Sequence, residues 1–134
     1  MKHAAVALIL LGQLGAMPAA AHHSFDLTFD RDKQIGLTGT VTEFSFGNPH
    51  SYFKLEVVDA DGNAQEWHVE TTSAGQLSGH GWDRHSIKPG ETLSVKGFGA
   101  RNGRPYVKLQ SMSHANGVAV ALWLPPGPST TNGG

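Results

Sequence analysis

The sequence contains no cysteine among its 134 residues. The fold therefore cannot rely on disulfide bonds, even in a compartment that would allow them to form. The same absence excludes a bacterial lipoprotein anchor, metal sites with thiolate ligands and covalent attachment of haem. What remains is a chain long enough for one domain with a modest core.

An excess of positive charge is also missing. Ten Lys and Arg residues stand against eleven Asp and Glu residues, which gives a formal net charge of −1 with neutral histidines. Such a balance provides no basic field for nucleic acid or anionic lipid. We therefore expect no nucleic acid among the partners. Long apolar runs are scarce as well, and the run from Ala4 to Leu14 is shorter than the roughly 20 residues of a membrane span.

The N-terminal segment has the parts of a secretory signal peptide. Lys2 precedes the apolar run, and Ala19 and Ala21 form the pair of small residues that signal peptidase requires. We expect cleavage after Ala21, because a cut after Ala20 would place Pro18 three residues before the break. The prediction is a bacterial protein exported to the periplasm or secreted, with a signal peptide at 1–21, one domain at 22–124 and a disordered tail at 125–134.

Glycines and short polar clusters divide the mature chain, and the apolar residues between them alternate instead of recurring at helical spacing. Alternation predicts strands with one buried face. In one such strand Phe53 and Leu55 point inward, while Lys54 and Glu56 point outward. The predicted strands cover residues 35–42, 51–58, 65–71, 92–100 and 106–113, with a further edge strand at 118–124.

Residues 73–90 lose the alternation, which predicts a short helix or an ordered loop. Three strands, a short helical segment and two or three more strands are typical of a small Greek-key barrel of the oligonucleotide/oligosaccharide-binding (OB) type. We therefore expect a mostly all-β fold, an OB-like barrel of five or six strands. Architecture alone does not name a ligand.

Six motifs follow one another along the chain: Ala21-His22-His23-Ser24-Phe25, Leu37-Thr38-Gly39-Thr40-Val41, Asn48-Pro49-His50-Ser51, Glu66-Trp67, Gly81-Trp82 and Lys88-Pro89-Gly90. In this order they resemble the exported bacterial family called domain of unknown function 6152. The resemblance covers nearly all of residues 21–112. It implies an exported small β domain, supplies no established activity, and matches the family pattern at three histidines, His22, His23 and His50.

A mature chain that starts at His22 offers its α-amine and its own Nδ1 atom as a chelate. One further imidazole completes a planar site of three nitrogen ligands, which favours Cu(II). His50 is the best third ligand, because it follows Asn48-Pro49 at a strand entrance, where a loop can hold its ring at the barrel rim. His23 is a weaker candidate. The predicted function is binding of a transition metal, copper, for sequestration, delivery or sensing.

Other ligand arrangements remain open. A cut after Ala20 would put His23 in third position, which gives a different copper or nickel chelate through backbone nitrogens. Asp83 and His85 form a second set with His22, through a carboxylate-x-histidine spacing seen in some exported copper proteins that start with histidine. His68 shares its strand parity with Glu66 and Glu70, so we expect it on the solvent face and not as a ligand.

The main alternative function is a metal-free module that binds a periplasmic protein or a glycan at the barrel rim or at an exposed edge strand. A redox enzyme that uses the same copper site is a third possibility. The sequence contains no phosphate-binding glycine loop, no nucleophile elbow and no paired acidic motif in a catalytic frame. No residue is therefore predicted to be catalytic.

The cleavage site can be tested directly. We expect the exported protein to begin at His22, because Ala19 and Ala21 meet the small-residue requirement better than any neighbouring pair. Mass spectrometry of the intact mature protein measures the start. A mature chain that begins at Ala21 would remove the amine–imidazole chelate of His22.

Overall fold

The computed structural model describes residues 19–117, with side chains from Ser24 onward. It contains α1 (Ala19–Thr28), β1 (Phe29–Ser45), β2 (Tyr52–Val58), β3 (Ala64–Glu70), α2 (Ala74–Ser78), β4 (Thr92–Ala100) and β5 (Tyr106–His114). The strands form a closed barrel in the order β1-β2-β3-β5-β4. Neighbouring strands are antiparallel except β3 and β5, which are parallel. This arrangement confirms the predicted OB-like fold.

The core lies inside the barrel and consists of the inward residues of the strands. Phe53, Leu55 and Val69 are fully buried, as the alternation predicts, because successive side chains of a strand point to opposite faces. Trp67 is half-buried and packs against this core. The segment between β3 and β4, which includes the predicted short helix, adds three more core residues: Leu77, Trp82 and Ile87.

The N-terminal part of the structure differs from the prediction. β1 begins at Phe29, six residues before the predicted start, and residues 19–28 form a helix that the alternation did not indicate. The junction is fixed to the barrel, because the Arg101 main-chain N–H donates to the Thr28 carbonyl at 2.9 Å and Phe29 is buried. The cleavage point after Ala21 falls within α1, and its use stays a prediction.

Two other predictions fall elsewhere in the chain. The edge strand at 118–124 and the tail at 125–134 lie outside the described residues. Within residues 19–117, neither helix is long and apolar enough to cross a membrane.

Close packing of β4 against β5 depends on Gly97, where the register of the pair shifts. A Cβ atom at this position would lie 2.6 Å from Cγ1 of Val107, and it would also meet the main-chain carbonyl oxygen of Lys108. One neighbour is the fully buried side chain of Val107 and the other is main chain of β5, so neither can move aside at low cost. Only glycine fits here.

We expect Gly97→Ala to lower the free energy of unfolding by about 2–3 kcal/mol, because an added methyl group overpacks the β4–β5 interface. Gly36→Ala is the matched control, since a Cβ at Gly36 meets nothing within 4 Å, and its effect should stay within about 0.5 kcal/mol. Urea denaturation of both variants measures the difference. Equal stability of the two would contradict this account of β4–β5 packing.

Candidate functional site

The loop at 46–51, which joins β1 to β2, is anchored by Ser51. Ser51 is fully buried, its Oγ accepts from the Gly47 N–H at 3.1 Å, and its main-chain N–H donates to the Thr72 carbonyl at 2.7 Å. The Thr71 N–H and the Thr71 hydroxyl both donate to the Ser51 carbonyl, at 2.8 and 2.9 Å. These bonds hold the residue that follows His50, and so fix where the His50 ring can lie.

His50 contacts a carboxylate on β3. Its Nδ1 lies 3.0 Å from Oε1 of Glu70, and 51% of its side chain is exposed whereas only 12% of the Glu70 side chain is. An imidazole that donates from Nδ1 carries its acceptor lone pair on Nε2. The partly exposed ring of His50 therefore has one nitrogen held by the protein and one free to bind a ligand.

Glu70 is the centre of a polar cluster on the outer face of β3 and β5. The Tyr106 hydroxyl donates to Oε2 of Glu70, and Nζ of Lys108 donates to Oε1 at 2.8 Å and to the Thr71 carbonyl at 2.6 Å. Burial alone raises the pKa of the Glu70 carboxyl, but the hydrogen bonds from Lys108 and Tyr106 outweigh burial and hold the pKa below its ordinary value of 4.5. Glu70 is therefore an anion at neutral pH.

Tyr106 is held as a hydrogen-bond donor. Burial and the hydrogen bond to Glu70 raise the pKa of the Tyr106 hydroxyl above its ordinary value. The hydroxyl thus stays protonated under ordinary conditions. The cluster combines one buried anion with a cation, a neutral donor and a histidine, which is a stable charge balance.

A row of packed rings, which we call the ring row, lies beside this cluster and begins with Tyr52, His68 and Tyr106. The Tyr52 and His68 rings stack with centroids 4.3 Å apart, and Tyr106 meets the other side of His68 edge-on at 4.9 Å. His68 lies on the outer face, as its parity predicts, but the two tyrosines pack against it and leave it partly buried. Burial lowers the pKa of His68, so the ring is neutral near pH 7.

The ring row continues toward the N-terminus. Phe29 contacts Tyr106 with ring centroids 4.9 Å apart, and Phe25 of α1 contacts Phe29 at 5.5 Å and Phe98 of β4 at 5.6 Å. α1 is therefore attached to the same side of the barrel that carries Tyr106.

Two adjoining hollows meet at Arg104 and Tyr106. One is an open hollow of about 400 Å³ between these two residues and Glu66, His68 and Pro105. The other encloses about 340 Å³ and extends toward α1. We call the pair the Arg104 groove. It lies beside the loop at 101–105, where the parallel pairing of β3 and β5 begins at His68 and Tyr106.

The predicted metal ligands are distributed as follows. His22 and His23 belong to α1, but their side chains lie outside the described residues. Asp83 and His85 are exposed in the loop after α2, where the Asp83 carboxylate accepts the His85 main-chain N–H at 2.6 Å. Among the side chains that the structure describes, no three His, Asp or Glu groups are arranged to hold a metal ion. Of the predicted ligands that the structure describes, only His50 contacts a carboxylate from another part of the barrel.

Glu70, Tyr106, Lys108 and Arg104 were not predicted as site residues. The outward parity of Glu70 and Lys108 could have been read from the alternation of β3 and β5. Their pairing could not, because it depends on parallel alignment of two strands separated by α2 and β4.

Comparison with known proteins agrees with the resemblance that the motifs indicated. The model of a family of unknown function, DUF6152, matches residues 11–108. No curated protein matches the chain significantly.

Solved structures similar to this chain include the mitochondrial single-stranded DNA binding protein Rim1 of S. cerevisiae, with a TM-score of 0.48 and 10% identity over 62% of this chain and 93% of that one. The N-terminal domain of the PriB protein from Thermoanaerobacter tencongensis is also similar, with a TM-score of 0.41 and 16% identity over 69% of this chain and all of that one.

The prediction that nucleic acid is not among the partners is wrong. It rested on the net charge of the whole chain, whereas Rim1, a structure similar to this one, is named as a single-stranded DNA binding protein. The net charge of a whole chain does not describe any single face of it. A likeness of fold does not assign a ligand to this chain in turn.

The Glu70 cluster predicts a pH-dependent stability. A carboxyl whose folded pKa is below its ordinary value stabilises the fold above about pH 4.5, and this contribution is lost as pH falls through the folded pKa. We expect Glu70→Gln to lower the free energy of unfolding by about 2 kcal/mol at pH 7, since the variant loses charged hydrogen bonds. The difference in the free energy of unfolding between this variant and the wild type should become smaller below about pH 4.

Urea denaturation at pH 7, 5 and 3 measures this dependence. Glu56→Gln is the control, because Glu56 is exposed on neighbouring β2, and its effect should be small at every pH. A Glu70→Gln difference that is the same at pH 3 as at pH 7 would show that the charge of Glu70 does not stabilise the fold.

Proposed function

The chain belongs to the family of unknown function DUF6152, and because that membership assigns no activity, we propose a function from the chain's own residues. The protein is an exported β-barrel that binds a transition metal, copper, through the mature N-terminal residue His22 and the loop residue His50. Its role is to sequester, deliver or sense copper in the periplasm or outside the cell.

The observation that supports this proposal is the contact between His50 and Glu70. Histidines that bind metals in proteins commonly donate their second ring N–H to a carboxylate, which fixes the tautomer and the ring orientation. His50 makes this contact from Nδ1 at 3.0 Å and keeps about half of its side chain exposed. Glu70 is itself held by Lys108 and Tyr106. Nε2 of His50 is therefore a pre-oriented ligand atom.

A single imidazole binds copper weakly, so further ligands are needed. A free amine and imidazole at His22 supply two nitrogen atoms from one residue, and three nitrogens suit Cu(II). His22 precedes Phe29 by seven residues, which is about 10 Å along an α-helix. Phe29 contacts Tyr106, and Tyr106 donates to Glu70. A series of contacts therefore runs from the end of α1 through Phe29 and Tyr106 to Glu70, the residue that holds His50.

The alternative set with Asp83 and His85 is less favoured. The Asp83 carboxylate already closes a local turn by accepting the His85 N–H at 2.6 Å, and the Asp83 N–H is bonded to the Ser86 hydroxyl oxygen at 2.9 Å. This turn explains the spacing of the two residues without a metal.

Substitution of one ligand tests the proposal. We expect His50→Ala to weaken Cu(II) binding at least about tenfold, on the order of 1.4 kcal/mol, because only the two nitrogen ligands of His22 remain. His85→Ala should leave the affinity unchanged, as should His80→Ala, an exposed histidine after α2. Isothermal titration with Cu(II), together with the electron paramagnetic resonance spectrum of the bound ion, measures affinity and nitrogen ligation.

The N-terminal half of the site needs its own variant. One extra residue before His22 blocks the amine–imidazole chelate and should weaken binding further in the His50→Ala background. If the extended double variant binds copper as tightly as the mature protein, the proposed site is wrong. A loss in His85→Ala alone would transfer the site to the loop after α2.

A further inference from the structure

We infer that the Arg104 groove is a binding site for an acidic oligosaccharide, which is a function separate from copper binding. Its two adjoining hollows, about 400 and 340 Å³, each lie in the range of small-molecule sites. Two hollows that share Arg104 and Tyr106 suit a ligand of more than one ring. Open access from solvent suits a chain that extends beyond the groove.

Arg104 supplies the charge that selects the ligand. Its side chain is exposed, and within residues 19–117 its guanidinium makes neither a hydrogen bond nor an ion pair. Its main-chain N–H donates to Oδ1 of Asn102 at 3.1 Å, which orders the loop that carries it. A planar guanidinium without a protein partner is suited to bind a carboxylate with two parallel hydrogen bonds.

Arg101, the other arginine that lines the groove, has a guanidinium that is already bound by groups of the protein. Nε of Arg101 donates to the Asp26 carbonyl at 3.0 Å and Nη2 donates to the Phe29 carbonyl at 3.3 Å, while Nη1 lies 3.6 Å from Oδ2 of Asp30. Arg101 therefore fixes α1 and the start of β1 to the barrel. Of the two arginines that line the groove, Arg104 is the one left for a ligand.

The rest of the lining matches a sugar. Pro105 and the ring of Tyr106 offer apolar surface for the C–H face of a pyranose. Glu66 can accept hydrogen bonds from hydroxyl groups, since 57% of its side chain is exposed and its ion pair with Lys54 is long, at 3.6 Å. Asn102 and His68 offer both donors and acceptors. Donors and acceptors interspersed with a ring suit a polyhydroxylated ligand.

The carboxylate of Glu66 argues for one negative charge per ring and against closely spaced phosphates. A single carboxylate can pair with Arg104 while hydroxyl groups face Glu66. A second anion in the 400 Å³ hollow, which Glu66 and Arg104 both line, would be repelled by Glu66. A uronic-acid oligosaccharide has one carboxylate on each ring, which can pair with Arg104, and several hydroxyl groups, which can face Glu66.

The test uses the mature full-length protein in the presence of a metal chelator, so that copper takes no part. Isothermal titration compares a trisaccharide of galacturonic acid with the uncharged galactose trisaccharide and with a short oligothymidylate. We expect the acidic trisaccharide to bind at least about tenfold more tightly than the neutral one. Amide shifts in NMR spectra should map to the lining of the groove, at residues 102–104 and at Tyr106, Glu66 and His68.

Arg104→Gln should weaken binding of the acidic trisaccharide about tenfold and leave the neutral one unaffected. Arg84→Gln is the matched control, because Arg84 is also an exposed arginine but lies in the loop before β4. The loop at 101–105 lies after β4, and the nine residues of that strand, at about 3.3 Å each, keep the two loops apart. Thermal unfolding of both variants checks that they fold.

Any one of four results would overturn the proposal. Equal binding of both trisaccharides would show that Arg104 does not select a carboxylate. Absence of binding, or shifts that map away from the residues lining the groove, would show that the groove is not the site. Tighter binding of the oligothymidylate would make nucleic acid the ligand of this face.

Discussion

The short parallel pairing of β3 with β5 is the constraint on which the rest of the structure depends. Only three residue pairs form it, His68 with Tyr106, Val69 with Val107 and Glu70 with Lys108. The middle pair is fully buried and closes the core. The two outer pairs place the Glu70 cluster and the ring row on one face. The same few residues therefore close the barrel and build the candidate site.

Much of the barrel was readable from the chain because local alternation decides which residues are inward. Phe53 and Leu55 alternate with charged residues, and both are buried as this pattern requires. The start of β1 was missed because residues 30–34 are mostly charged and make no apolar stripe, yet the neighbouring strand β4 pairs with Gln34 and Phe29. α1 was missed because its first three residues were assigned to the signal peptide and the rest of it to a chain with alternating apolar residues.

The candidate site was readable only in part. His50 was identified because a histidine after Asn48-Pro49 stands at a strand entrance, which is a local property. Its partner Glu70 lies 20 positions later and is brought to it by the β2–β3 register, in which Tyr52 pairs with Glu70. Lys108 is farther still and arrives through the parallel pairing. Pairing between strands that are distant in sequence produces no local sequence pattern. A single site residue can therefore be predicted from the sequence where its distant partners cannot.

The two proposed sites share Tyr106, and this limits which substitutions can separate them. Its hydroxyl donates to Glu70, which holds His50, while its ring lines both hollows of the Arg104 groove. A change at Tyr106 would therefore disturb the copper ligand, the groove and the contact with Phe29 together. Arg104 and His50 each belong to one site and are exposed. Independent effects of these two residues would show that one face of the barrel carries two functions, whereas coupled effects would show that Tyr106 and Glu70 join them into one.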